Sequence, residues 1–348
     1  MGRFRLHHLA AAATALAFAV VVLGAFVRLS DAGLGCPDWP GCYGHIGVPD
    51  AASGVAGEFD RPLEPGKAWK EMVHRYFAGT LGLVIAALGV WAWRQRRQTG
   101  EGAGLPLFLV GLVVFQALLG MWTVTWLLKP LVVTAHLLGG MATLALLFWL
   151  ALRRGAWPAP QPGVAPVWRK AALLGLAVVV LQIALGGWTS ANYAALACPD
   201  FPACYQGQWW PATDFGEAFT LWHGLGIDYE GGVLAHPART AIHLTHRLGA
   251  VVTLLVVGGL ALALWRRNPG SGVRRLAGLV GLLLVAQVAL GVGNVVLGLP
   301  LAVAVAHNGV AAALLLALVA LNHVLRPLPE TAPERREAVL GVGGMESA

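Results

Sequence analysis

Charge is what this 348-residue chain has least of: 12% of its residues are Asp, Glu, Lys or Arg, about half the ~25% of an ordinary soluble domain. So little charge excludes a solvated globular surface of normal extent. The chain also lacks a basic tail or a basic amphipathic face. Its net charge of +7 therefore does not indicate a nucleic-acid partner. The basic residues sit in short clusters between apolar runs, a pattern that reports membrane orientation. A convincing small-residue cleavage site is missing as well. The apolar run behind Arg3 and Arg5 passes straight into Val27-Arg28-Leu29-Ser30 and reads as a retained first helix rather than a signal peptide.

What the chain has is apolar length. Hydrophobic residues make up 57% of it, and runs of about 20 residues, long enough to cross a bilayer, recur throughout. Eight spans are expected, near 9–29, 70–92, 105–126, 130–151, 171–190, 239–264, 276–297 and 301–324. Sixteen of the 24 Lys and Arg residues fall before the first span, in alternate short connections and after the last span. The positive-inside rule then places both termini in the cytoplasm. Two long loops, about 30–69 and 191–238, fall on the outer side.

The second half repeats the first. Cys36-Pro-Asp-Trp-Pro-Gly-Cys42 returns as Cys198-Pro-Asp-Phe-Pro-Ala-Cys204, His74-Arg75 as His246-Arg247, Gln116-Ala-Leu-Leu-Gly120 as Gln287-Val-Ala-Leu-Gly291, and His136 as His307. Four matches in one order at nearly one offset indicate duplication. The expected fold is an all-α membrane protein of eight transmembrane helices, arranged as two pseudo-symmetric four-helix bundles. The halves are 1–156 and 171–326, with a Pro-rich cytoplasmic linker over 157–170 and a cytoplasmic tail over 327–348.

Each half carries one His early in its second helix and one early in its fourth. Both helices run inward, so all four imidazoles lie at one depth, on the order of 8–10 Å below the outer surface. A level pair on parallel helices suits a flat iron macrocycle. The alternative for any one of them is a hydrogen-bonded core histidine. Arg75 and Arg247 follow directly and suit a haem propionate or snorkelling to headgroups. Position 71 is Glu where its equivalent, 243, is His. Glu71 shares a helix face with His74. It is a candidate proton donor, acceptor or electrostatic stabiliser in one half only, beside the plainer role of favouring a helix N-terminus. The two Cys pairs read first as disulfides in an oxidising compartment. Zinc is a weaker alternative at this spacing, and a redox role for Cys36 and Cys42 stays open.

These residues together resemble the heme A synthase family, in its bacterial form with two extracytoplasmic Cys pairs. The motifs are Gly24-Ala-Phe-Val-Arg-Leu-Ser-Asp-Ala-Gly-Leu-Gly-Cys-Pro-Asp-Trp-Pro-Gly-Cys42, Glu71-x-x-His74-Arg75, His136, Cys198 to Cys204, His246-Arg247 and His307. The resemblance implies an enzyme of the bacterial plasma membrane that oxidises a methyl group of heme O to formyl through hydroxylated intermediates, giving heme A for terminal oxidases. It implies a resident haem b on His246 and His307, heme O between His74 and His136, and Glu71 as the essential acid. Its bacterial pattern carries loop disulfides Cys36–Cys42 and Cys198–Cys204. Heme O would come from heme O synthase, through the lipid or in a complex. The electron donor is not specified, and self-association is left open. A di-haem electron carrier and a duplicated transporter are the competing classes. The first needs no acid in one half, and the second puts polar groups at midplane rather than at the outer ends.

Overall fold

The computed structural model describes residues 2–50, 59, 61–99, 102–155, 165–267 and 270–326, without the side chains of 2–5 and 99. Most of the expected linker and the whole 327–348 tail lie outside the described residues. Nine helices form among the described residues: α1 Gly2–Leu29, α2 Pro65–Thr99, α3 Gly104–Thr125, α4 Pro130–Arg154, α5 Pro166–Ala191, α6 Phe215–Ala218, α7 His236–Arg267, α8 Ser271–Val296 and α9 Leu301–Val324. All but the four-residue α6 are long and apolar enough to cross a membrane. Eight spans were expected; α6, inside the long second loop, was not. The helices form because lipid offers no partner to a backbone N–H or C=O, so each span satisfies its own. Proline opens α2, α4 and α5, where a missing N–H costs nothing.

The first half closes on itself, with α1 against α2, α2 against α3, α3 against α4, and α4 against α1. In the second half α5, α7, α8 and α9 close in the same cyclic order. The halves meet through α1, α4, α5 and α9, with α1 on α9, α4 on α5 and α4 on α9. The backbone repeats as faithfully as the sequence. Left-handed residues Asp31 and Tyr193 correspond, as do Leu128 and Leu299; the left-handed pair after each second cysteine falls one residue later in the second half, at Gln206 and Gly207 against Tyr43 and Gly44.

One continuous core of Leu, Val, Ile and Ala runs through both bundles, including Ile85, Leu144, Leu264 and Leu318, all fully buried. The outward faces are no less apolar. Leu83 is 75% exposed and Leu255 69%, a surface that suits lipid and not water.

Eight antiparallel spans bring both disulfide loops to one end of the molecule. In each, an Asp caps the turn: Asp38 accepts from the Tyr43 and Gly44 amides at 2.6 and 2.9 Å, and Asp200 from the Gly207 amide at 3.4 Å. The disulfides Cys36–Cys42 and Cys198–Cys204 are formed.

The long loop after α5 reaches over the first half. Arg61 pairs with Asp228 and, at 2.7 Å, with Glu230. The Tyr229 amide donates to the Leu127 carbonyl at 3.0 Å. Lys129, 1% exposed, donates to the Gly224 carbonyl and lies over the Trp222 ring. Burial pushes its ammonium below the usual lysine range.

Candidate functional site

In the first bundle α2 and α4 stand at opposite corners of the ring of helices, and each carries one of the singled-out histidines. The glycine-bearing helices α1 and α3 lie between them. A Cβ built on Gly24 of α1 would stand 2.9 Å from His74 Cε1, and one built on Gly120 of α3 would stand 3.4 Å from His136 Cε1. The second bundle copies this. Gly186 of α5 faces His246 Cε1 at 3.3 Å, and Gly291 of α8 faces His307 Cε1 at 3.1 Å. Each imidazole therefore lies edge-on against bare backbone of the neighbouring helix. The small residue lets the ring edge approach that helix closely instead of being driven into the bundle centre.

All four histidines are part-buried as residues. Nδ1 of His74, His136 and His307 is enclosed without a hydrogen-bond partner. A core histidine normally has its nitrogens satisfied. A pair of under-satisfied imidazoles across a bundle, each with a glycine niche behind it, fits the axial ligation of a haem. Among the described residues no group of three or more His, Cys, Asp or Glu gathers to hold a bare metal ion. Two axial ligands suffice when a porphyrin supplies the other four. The cysteines, closed in disulfides, leave no thiolate for zinc.

Glu71 is buried, 5% exposed, and both its oxygens are engaged. One accepts from the Cys36 amide at 3.0 Å and the other from Arg75 at 2.5 Å. Arg75 also donates to the carbonyls of Asp38 at 2.9 Å, Pro40 at 3.3 Å, and Gly41. In the second half His243 takes the place of Glu71, its Nδ1 3.4 Å from the Cys198 amide and 3.0 Å from the Ala194 carbonyl. Arg247 donates to Ala203, Cys198 and Asp200 carbonyls at 2.8, 2.8 and 2.7 Å. Positions 71 and 243 thus play the same structural role, because each meets the backbone of the first cysteine of its loop. The two arginines place their guanidinium groups on loop carbonyls. The first half alone adds a carboxylate to that junction, one helical turn before His74.

Sequence reasoning gives none of these four glycines a place beside a histidine, and it misses Gln182. The Gln182 amide lies 3.1 Å from His246 Nδ1 and donates to the His246 carbonyl at 3.0 Å. The signal that could have found it was a mismatch: at the 162-residue offset that carries Gly24 onto Gly186, Gln182 falls on Val20. Gln287, by contrast, lies 3.2 Å from His307 Nε2 and has its counterpart in Gln116.

The family model described as "Cytochrome oxidase assembly protein", COX15-CtaA, matches residues 7–319. A protein of Shewanella oneidensis named heme A synthase is 46% identical over 316 residues, 88% of this chain and 92% of its own length. Heme A synthases of Caulobacter vibrioides and Shouchella clausii are 31% and 28% identical, over 86% and 79% of this chain and 90% and 82% of theirs. The helices, the duplicated histidine niches and these similarities agree: the chain belongs to the COX15-CtaA family of heme A synthases.

Proposed function

We propose that the protein is a membrane oxidoreductase that converts heme O to heme A for terminal-oxidase assembly, oxidising one ring methyl to formyl through hydroxylated intermediates. The observation that carries this reading is the pair of glycine-backed histidine niches, alike in geometry and unlike in one buried acid. In this reading His246 and His307 hold a resident haem b, whose chemistry is one-electron transfer. His74 and His136 hold the substrate, heme O. The sidedness follows the basic clusters: both termini cytoplasmic, both disulfide loops outside.

The protein's own contribution is positioning and charge. Two imidazoles on separate helices would hold the substrate porphyrin between them, with Glu71 one helical turn from His74 on α2. That carboxylate is oriented by the Cys36 amide and the Arg75 guanidinium. A carboxylate so placed can accept a proton or stabilise positive charge that develops on the methyl carbon. Arginine has five N–H donors, so those of Arg75 and Arg247 that are engaged neither by loop carbonyls nor by Glu71 suit a propionate. The apolar outward faces suit a substrate that arrives through lipid.

The test is to express the protein beside a source of heme O and to identify the extracted haems by chromatography and mass. Heme A or its hydroxylated precursor is expected. Bound protohaem alone, with no modified product under oxygen, would sink the proposal and favour a di-haem electron carrier.

A further inference from the structure

The two histidine sites differ at a second place, away from Glu71. On α5, Gln182 lies one turn before Gly186, so both face His246. Gly186 leaves room for the ring edge, and the Gln182 side chain reaches the ring's Nδ1 and the carbonyl behind it. This reach needs a gap on α7. A Cβ at Gly249 would stand 2.2 Å from Gln182 Oε1. The first half has neither part of the device. Val20 stands where Gln182 would be and Phe77 where Gly249 would be, and His74 Nδ1 is buried with no partner.

From this contrast we infer that Gln182 is a positioning residue that braces His246, and that its absence from the first half leaves His74 unbraced, so that one site retains its haem while the other exchanges it. The inference rests on the reading of the second half as the resident-haem site. A histidine that ligates through Nε2 keeps its proton on Nδ1, and a partner there fixes both tautomer and ring orientation. The Gln182 amide is the group within reach. Its nitrogen faces Nδ1 here, and a half-turn presents the oxygen as acceptor in exchange for the bond to the His246 carbonyl. Gln287 and Gln116 occur in both halves and cannot supply the difference. Valine and phenylalanine have no hydrogen-bonding group for an imidazole, so the first-half ring holds its position by packing alone. A substrate site that must release its product gains from a ligand that is not locked.

The experiment measures haem loss from the purified full-length holoprotein into excess apomyoglobin, with the reduction potential and axial-ligand spectrum of the second-half haem as independent readouts. Gln182→Val is expected to speed loss from the second half about 10- to 100-fold and to alter the spectrum. Gln182→Glu, which keeps an oxygen opposite Nδ1, is expected to restore retention. Gly249→Ala displaces the amide without removing it and serves if Gln182→Val does not fold. Grafting the brace into the first half with Val20→Gln and Phe77→Gly is expected to slow haem loss there about tenfold. Unchanged loss rate and potential in folded Gln182→Val and Gly249→Ala overturn the inference. A wild-type protein with no haem on the second half would instead overturn the reading beneath it.

Discussion

The four glycine niches predict a graded response to one added methyl group, and the first half gives the sharpest comparison. At Gly24 a Cβ would come within 2.9 Å of His74 Cε1 and 3.3 Å of its Nε2; at Gly120 the nearest approach to His136 is 3.4 Å. The first is well inside van der Waals contact, and the second is nearly ordinary. Gly24→Ala must therefore rotate the His74 ring off its rotamer or part α1 from α2. Overpacking of this kind costs about 1–3 kcal/mol. If that cost falls on ligand geometry, binding in the first half weakens by about 5- to 150-fold, since ~1.4 kcal/mol is a factor of ten. Gly120→Ala asks for a shift of a tenth or two of an ångström and should change affinity by less than about threefold, under ~0.7 kcal/mol. The assay is an absorbance titration of ferric porphyrin into solubilised protein whose second site is already filled, reading the axial-ligand bands. Equal weakening by the two substitutions, or a larger effect at Gly120, would refute the idea that backbone niches set the ring positions.

Four further outcomes are expected. Glu71→Ala should lower product formation by about 100-fold or more while the second-half haem stays bound; normal product yield on extraction would remove Glu71 from the chemistry. Replacing Cys36 and Cys42 together by Ser should loosen the loop that places Glu71; turnover equal to wild type in folded protein would exclude both a redox and a positioning role for that disulfide. Tyr43 is buried and donates to the Pro62 carbonyl at 2.9 Å, and burial raises its phenol above the ordinary 10.0. Its folded value lies above the unfolded one, so its contribution to loop stability is whole below pH 10 and is lost as pH rises through the folded value. Proteolysis of the first loop should increase above about pH 10 in wild type and respond less to pH in Tyr43→Phe. Arg61→Ala should release the loop after α5 by about 0.2–1 kcal/mol for each exposed ion pair. Hydrogen exchange at 227–232 should rise to match wild type in high salt, and unchanged exchange would show that Tyr229 and Lys129 suffice to hold it.

The sequence alone determined the spans and the repeat. Length and apolarity settle a membrane helix because lipid leaves the backbone no other way to satisfy itself. The expected limits of α3, α4, α8 and α9 accordingly lie within a few residues of those observed, with the largest departure at the α8 start. Duplication set His74, His136, His246 and His307 in register and marked Glu71 as the odd position, since equal offsets can be counted without a fold. Only the tertiary structure decided which helix each imidazole touches, that Glu71 and His243 hold the backbone of their disulfide loops, that Gln182 meets His246, and that the loop after α5 crosses to Arg61 and Lys129. Periodicity tells which residues share a helix face, but not which neighbour that face meets. In a bilayer the outward and inward faces are nearly equally apolar, so close fit at small residues and a few hydrogen bonds make that choice, and those involve positions far apart in the chain.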